Sequence, residues 1–157
     1  QQVDTPQNLY DNPVNLFVAG FIGTPQMNFI NCVLDKKADG YYITFGSNSL
    51  KLPADKATDE LLGEYAGREV VAGIRPECIH DDAPSLRQMS EAVIETDVEV
   101  TELMGAEIYL YLVAEETNLT ARVSARSTAR AGDIINVAFD MSRVHLFDKD
   151  TERCILH

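Results

Sequence analysis

The chain is 157 residues long, 45% apolar and 24% charged, with 25 acidic against 13 basic side chains and a formal net charge of −12. A length of about 150 residues buries roughly 68–70% of the unfolded surface, so one domain, or one domain with an arm, closes a core without disulfide staples. The acidic balance repels phosphate backbones and argues against a nucleic-acid partner, and no apolar run reaches the roughly 20 residues that span a bilayer.

Gln1 to Asp4 read as the tail of something cut away, and the opening residues show no charged-then-apolar pattern that would be expected to direct secretion. Thr5 caps a predicted helix with Pro6 at its first position, which ends near Asn12 because Pro13 disfavours helical geometry in the residue before it. Asn12 and Pro13 are then expected to open a second short helix through Leu16, Phe17, Ala19 and Gly20, ended by Gly23 and Pro25. This arm is apolar on too many sides to stand alone in water and is expected to pack against a neighbouring domain, or to fold back on the body that follows.

From Met27 the period changes. Phe29, Asn31 and Val33 alternate with Asn28, Ile30, Cys32 and Leu34, a strand with apolar side chains on both faces and at least partly covered. Asp35 to Gly40 reads as a polar turn, and Tyr41–Phe45 and Leu50–Leu52 read as strands joined by Gly46-Ser47-Asn48. Asp55 to Ala66 predicts a helix with Ala57, Leu61 and Tyr65 on one side and Gly67 at its end. Arg68 to Ile74 returns as a strand and runs into GIRPECI, residues 73 to 79, where a proline without an N–H stops the ladder. Arg75, Glu77 and Cys78 are expected to be exposed on this constrained turn, where Arg75 and Glu77 satisfy each other or nearby backbone, or else serve chemistry or a contact.

After a predicted loop from His80 to Gln88, the longest strand runs from about Ala92 to Leu103. Ile94, Thr96, Val98 and Val100 are placed on one face and Glu95, Asp97, Glu99 and Thr101 on a solvated other. Beyond the turn at Gly105, Ile108, Leu110 and Leu112 alternate with Tyr109, Tyr111 and Val113, and the two outward tyrosines form a candidate contact patch. Leu119, Ala121 and Val123 point inward and Arg122 outward, where it is expected to answer the acidic strand for roughly 0.2–1 kcal/mol. Strands through Ile135, Val137 and Phe139, then Val144–Phe147 and Arg153–Leu156 around an Asp148–Thr151 turn, complete a body of many short strands. That pattern predicts an all-β barrel or sandwich.

No G-x-x-x-x-G-K-[ST] loop, G-x-G-x-x-G turn or G-x-S-x-G elbow is present. Cys32, Cys78 and Cys154 lack C-x-x-C spacing and read as reduced thiols in a reducing compartment. His80, His145 and His157 show no metal-ligand spacing, and Cys78, His80, Asp81 and Asp82 read as an ordinary acidic turn. The sequon Asn118-Leu119-Thr120 reads as a strand start.

The opening QQVDTPQNLYDNPVNLFVAGFIGTPQMNF resembles the join between the nucleotide-binding and C-terminal regulatory domains in ATPase subunits of bacterial carbohydrate ABC importers. GIRPE, VTELMGAEIYLYL, GDIINVAFD and HLFDKDTE resemble, in order, landmarks of that regulatory domain in the maltose and multiple-sugar type, so the resemblance spans nearly the whole chain. It implies a mainly β, OB-like/MOP-like (TOBE) β-barrel with a short N-terminal helical arm and one or two small helices. Residues 1–25 would be the arm closing the nucleotide-binding domain and linker, and 26–157 the regulatory domain.

The resemblance further implies a non-catalytic part of an ATPase that drives sugar uptake, with no cofactor or metal in this chain and with ATP and Mg in the missing N-terminal domain. The implied partners are a second copy in a homodimer, the nucleotide-binding domain, transmembrane permease subunits and, in some members, a regulatory protein. The implied location is cytoplasmic, peripheral to the inner face of the membrane. Arg75, Glu77, His145 and Phe147 match family landmarks and join Tyr109 and Tyr111 as expected dimer or support contacts. Cys78 stands where the family commonly has histidine, and Met141 where proline often follows the aspartate. Rival readings are a small-oxyanion binder like the related molybdate barrels, a single-strand nucleic-acid module opposed by the charge, and a hydrolase lacking a nucleophile–base pair.

Overall fold

The computed structural model describes residues 5–21 and 25–157. In chain order the strands are β1 (Asn28–Lys37), β2 (Gly40–Phe45), β3 (Asn48–Lys51), β4 (Glu69–Ile74), β5 (Ile79–His80) and β6 (Val93–Met104). They continue with β7 (Glu107–Ala114), β8 (Thr117–Ser124), β9 (Ile134–Phe139), β10 (His145–Asp148) and β11 (Cys154–Leu156). The helices are α1 (Pro6–Asp11), α2 (Leu16–Phe21), α3 (Asp59–Leu62) and α4 (Ala83–Gln88). Two compact units result, Gln1–Ile74 with Met141–His157, and Arg75–Asp140.

The first unit is a six-stranded antiparallel sheet in the order β11-β10-β4-β1-β2-β3. Along β1, Asn28, Ile30, Cys32 and Leu34 are buried, while Phe29 and Val33 on the opposite face keep 39% and 37% of their surface. The second face of this strand is therefore more open than its apolar alternation suggests. The expected turn at Asp35 begins later, because β1 stays paired with β2 through Lys37–Gly40. The expected helix over 55–66 is shorter. Lys56 and Ala57 donate to the Pro53 carbonyl, and Thr58 caps α3 by accepting from the Leu61 N–H at 3.3 Å, so helix begins only where a side chain satisfies its first amides.

The arm folds on this same unit. Thr5 caps α1 as the sequence predicts, accepting from the Asn8 N–H at 3.3 Å. Asn12 and Pro13 do not open the second helix. Asn12 closes α1 by donating to the Asn8 carbonyl at 2.8 Å, and α2 starts at Leu16. The intervening segment lies along β11: Cys154 donates to the Val14 carbonyl at 2.9 Å and Leu16 to the Glu152 carbonyl at 3.0 Å, covering an edge that would otherwise be open. Ala19 is fully buried with Met27, Val71 and Phe147. Gly23, the expected helix terminator, lies outside the described residues.

The second unit is a five-stranded antiparallel sheet in the order β5-β9-β6-β7-β8. Its end strands approach one another, since Cα atoms of β5 come within 8 Å of β8, and the sheet is nearly closed. Ile94, Val98, Leu110, Leu112, Leu119, Ala121 and Val137 are buried, the inward sets that alternation predicts. The expected loop over 80–88 contains α4. Asp82 caps it by accepting from the Ser85 N–H at 3.1 Å, with Pro84 in the first turn, an N-cap signal legible in Asp82-Ala83-Pro84.

Candidate functional site

The candidate residues gather in two places, one in each unit. In the second unit a β-bulge decides which side chains share a face. Val98 pairs with Leu112 and Val100 with Tyr111, so Glu99 is the extra residue, and the alternation of β6 inverts beyond it. Val100 was expected inward with Ile94, Thr96 and Val98. It instead joins the outward face, 53% exposed, beside Tyr111.

That face carries Val100, Glu102 and Met104 from β6, Glu107, Tyr109 and Tyr111 from β7, and Thr120 and Arg122 from β8. The Tyr111 hydroxyl donates to Glu102 Oε1 at 3.1 Å. Desolvation first, and the Glu102 carboxylate second, raise the phenol of Tyr111 above its ordinary value, so it remains a neutral donor. Tyr109 sits directly between Glu102 and Arg122 in register, and both tyrosines are half-buried.

Arg122 does not answer the acidic strand β6, because β7 lies between them. Its Nε is 3.2 Å from Glu107 Oε2 and its Nη2 is 3.7 Å from Glu77 Oε2. Glu77 therefore faces Arg122. Arg75 and Cys78 are not exposed, at 2% and 5%; Arg75 precedes and Cys78 ends a single 3-10 turn, Pro76–Cys78, that Pro76 opens.

Asp81 accepts a hydrogen bond from the Ser127 hydroxyl at 2.5 Å, and Asp82 caps α4. The segment is not the exposed turn expected of it: Cys78 is buried and Ile79–His80 form β5, while Asp81 and Asp82 hold the chain just ahead of α4 through these bonds.

In the first unit, His145 and Phe147 lie on one face of β10 and are both buried. Phe147 meets Phe29 edge-on at 6.2 Å. Its neighbour strand presents Gly73, where an added Cβ would lie 2.5 Å from Met27 Sδ and 3.0 Å from Phe147 Cε2, so the glycine is required by close packing. A register shift between Leu146 and Phe147 sets Leu156 opposite Leu146 and Cys154 opposite Phe147, which turns Cys154 to the side of His145. The ring of His157 then stands edge-on to His145 at 5.9 Å, with its Nδ1 3.5 Å from Cys154 Sγ.

Burial pushes the Cys154 thiol up to about 11, and burial, helped by the nearby Lys56 ammonium, lowers the His157 imidazole. This grouping is invisible in the linear spacing of the histidines, because strand pairing and a bulge create it.

The order of landmarks along the chain and the two sheets can be set against known proteins. Residues 23–79 match the MalK OB fold domain model and residues 72–147 the TOBE domain model. The chain carries a MalK-type OB fold domain followed by a TOBE domain. It is 41% identical over 152 residues to the oligosaccharides import ATP-binding protein MsmX of Bacillus subtilis, which covers 97% of this chain and 40% of that protein.

Two further relatives extend the comparison. The chain is 40% identical to the trehalose/maltose import ATP-binding protein MalK of Thermococcus litoralis, covering 99% of the chain and 41% of the relative. It is 35% identical to the multiple sugar-binding transport ATP-binding protein MsmK of Streptococcus mutans, covering 99% and 40%. The chain thus spans about two fifths of the curated relatives it matches. A molybdate-bound crystal form of the cytoplasmic molybdate-binding protein ModG has the same fold, with a TM-score of 0.58 at 18% identity over 78% of this chain and 94% of that one. Among the described residues, no helix is long and apolar enough to cross a membrane.

Proposed function

We propose that this OB fold and TOBE region is the non-catalytic regulatory part of the ATP-binding subunit of a sugar ABC importer, and that it pairs two such subunits. The observation that carries the reading is the near-complete alignment, at 35–41% identity, with three ATP-binding subunits of sugar importers. In the intact subunit, ATP and magnesium belong to the nucleotide-binding domain, which works against permease subunits at the cytoplasmic face of the membrane. Residues 1–25 are the arm leading from that domain and 26–157 the regulatory domain.

Within it, the roles divide by burial. Arg75, His145 and Phe147 are support residues, because each is buried. Glu77, Tyr109 and Tyr111 are contact residues, together with Val100, because they form a half-exposed aromatic and apolar patch edged by the Glu77–Arg122–Glu107 charges. A regulatory protein is a second candidate for this patch.

The test is a region swap. The matching part of Bacillus subtilis MsmX is replaced by this chain and oligosaccharide uptake is measured in cells lacking MsmX. Restored uptake is the expected result. A stable chimera that hydrolyses ATP without supporting uptake would overturn the reading. The likeness to ModG is one of fold, and a thermal shift with molybdate separates the oxyanion reading: the regulatory reading predicts no shift.

A further inference from the structure

We propose that His145, Cys154 and His157 form a binding site for one borderline transition-metal ion of the zinc type, with a fourth coordination position left open. The three side chains each offer one donor atom, and these atoms all lie within 4.8 Å of one another. In a tetrahedral zinc site with bonds of about 2.0–2.1 Å to nitrogen and about 2.3 Å to sulfur, donor atoms stand roughly 3.3–3.8 Å apart. Cys154 Sγ and His157 Nδ1, at 3.5 Å, already stand at such a separation. The remaining pairs close by up to about 1.5 Å on binding.

The donor chemistry is selective. Two imidazoles and one sulfur favour zinc, cobalt(II) or copper over magnesium or calcium, which take oxygen ligands. Three protein ligands leave the ion one position for water or another small donor. Binding breaks the Cys154 S–H bond and forms a sulfur–metal bond, and the proton leaves to solvent. The thiol also gives up its hydrogen bond to the Leu156 carbonyl, which it makes at 3.2 Å.

The scaffold explains why the three meet. The bulge between β10 and β11 turns Cys154 to the His145 side, and His145 lies opposite Gly73, which brings no side chain across. The backbone N–H of Cys154 holds the arm at the Val14 carbonyl, so an ion here ties β10, β11 and the arm together. Lys56 approaches His157 but donates to the Ser142 carbonyl at 2.7 Å, which keeps its ammonium engaged.

The test is a cobalt(II) titration of the untagged 157-residue chain, stripped of metal and kept reduced, followed by absorption spectroscopy and a zinc chase. The expected result is a thiolate-to-cobalt charge-transfer band that saturates at one equivalent and disappears on adding zinc. Cys154→Ser abolishes the band, and His157→Gln weakens binding by roughly a hundredfold or more, at least the cost of losing a supporting partner of a ligand. His80→Gln leaves both unchanged. Thermal melts accompany each variant, because zinc raises the melting temperature of the parent chain and of His80→Gln but not of folded Cys154→Ser. Absence of the band, or a band that persists in Cys154→Ser, overturns the site and leaves the cluster as a thiol–imidazole hydrogen bond.

Discussion

Phe147 is fully buried and touches the arm, β4 and the start of β1 through one ring. Its replacement by alanine removes that apolar burial and leaves a cavity lined by Met27, Val71 and Ala19, with an expected cost of about 3–5 kcal/mol in denaturant unfolding. Gly73→Ala inserts a methyl against Met27 and Phe147 and is expected to cost about 1–3 kcal/mol by the opposite route, overpacking. Asp148 governs the last hairpin. Its Oδ1 accepts from the amides of Asp150 and Thr151 at 2.8 and 2.9 Å, and its Oδ2 accepts from the Tyr65 hydroxyl at 3.0 Å.

Those bonds, led by the one from the Thr151 amide, hold the Asp148 carboxyl below its ordinary value. A folded-state value below the unfolded one contributes stability that is complete well above the unfolded value of about 3.9 and is lost as pH falls through the lowered one. Asp148→Asn is therefore expected to destabilise by about 1 kcal/mol at neutral pH. That difference from the parent chain shrinks toward zero in melts below about pH 3.

At the scale of elements, caps and bulges decide more than propensity does. Asp82→Ala removes the side-chain acceptor of α4 and is expected to cost about 1 kcal/mol in thermal unfolding, with most of the strand signal retained. The strands were legible in the sequence because period-two alternation reports one-sided burial directly, as in Ile94, Thr96 and Val98 or Leu119, Ala121 and Val123. Alternation misleads where it is interrupted without any change in residue type. Glu99 lies in an unbroken run of strand formers, and only the pairing of β6 with β7 shows that it is skipped. The bulge of β11, which turns Cys154 toward His145, is equally silent in the residue types.

Helix boundaries failed differently. Asn12-Pro13 and Thr58 each present a plausible cap, and the choice between neighbouring caps depends on which amides remain unsatisfied after tertiary contacts form. Of the candidate residues, Arg75 and Glu77 were found by their place beside Pro76. The Arg122 partner of Glu77 was not, since Arg122 comes from a strand 45 residues away from Glu77 and reaches it only once the sheet closes.

For the chain as a whole, the account turns on self-association. A surface of half-exposed tyrosines, an exposed valine and ion pairs at its edge has the composition of a protein contact, and the net charge of −12 makes long-range approach of two copies unfavourable unless such a patch provides a local attraction. The patch lies within the Arg75–Asp140 unit, so pairing through it does not require the arm. The most direct measurement is sedimentation equilibrium of the chain over a wide concentration range, alongside a Val100→Asp/Tyr111→Ser variant whose melting temperature matches the parent. The account predicts a dimer in the parent chain and a monomer in the variant at the same concentrations. A parent chain that stays monomeric throughout, or a variant that dimerises equally well, would contradict it.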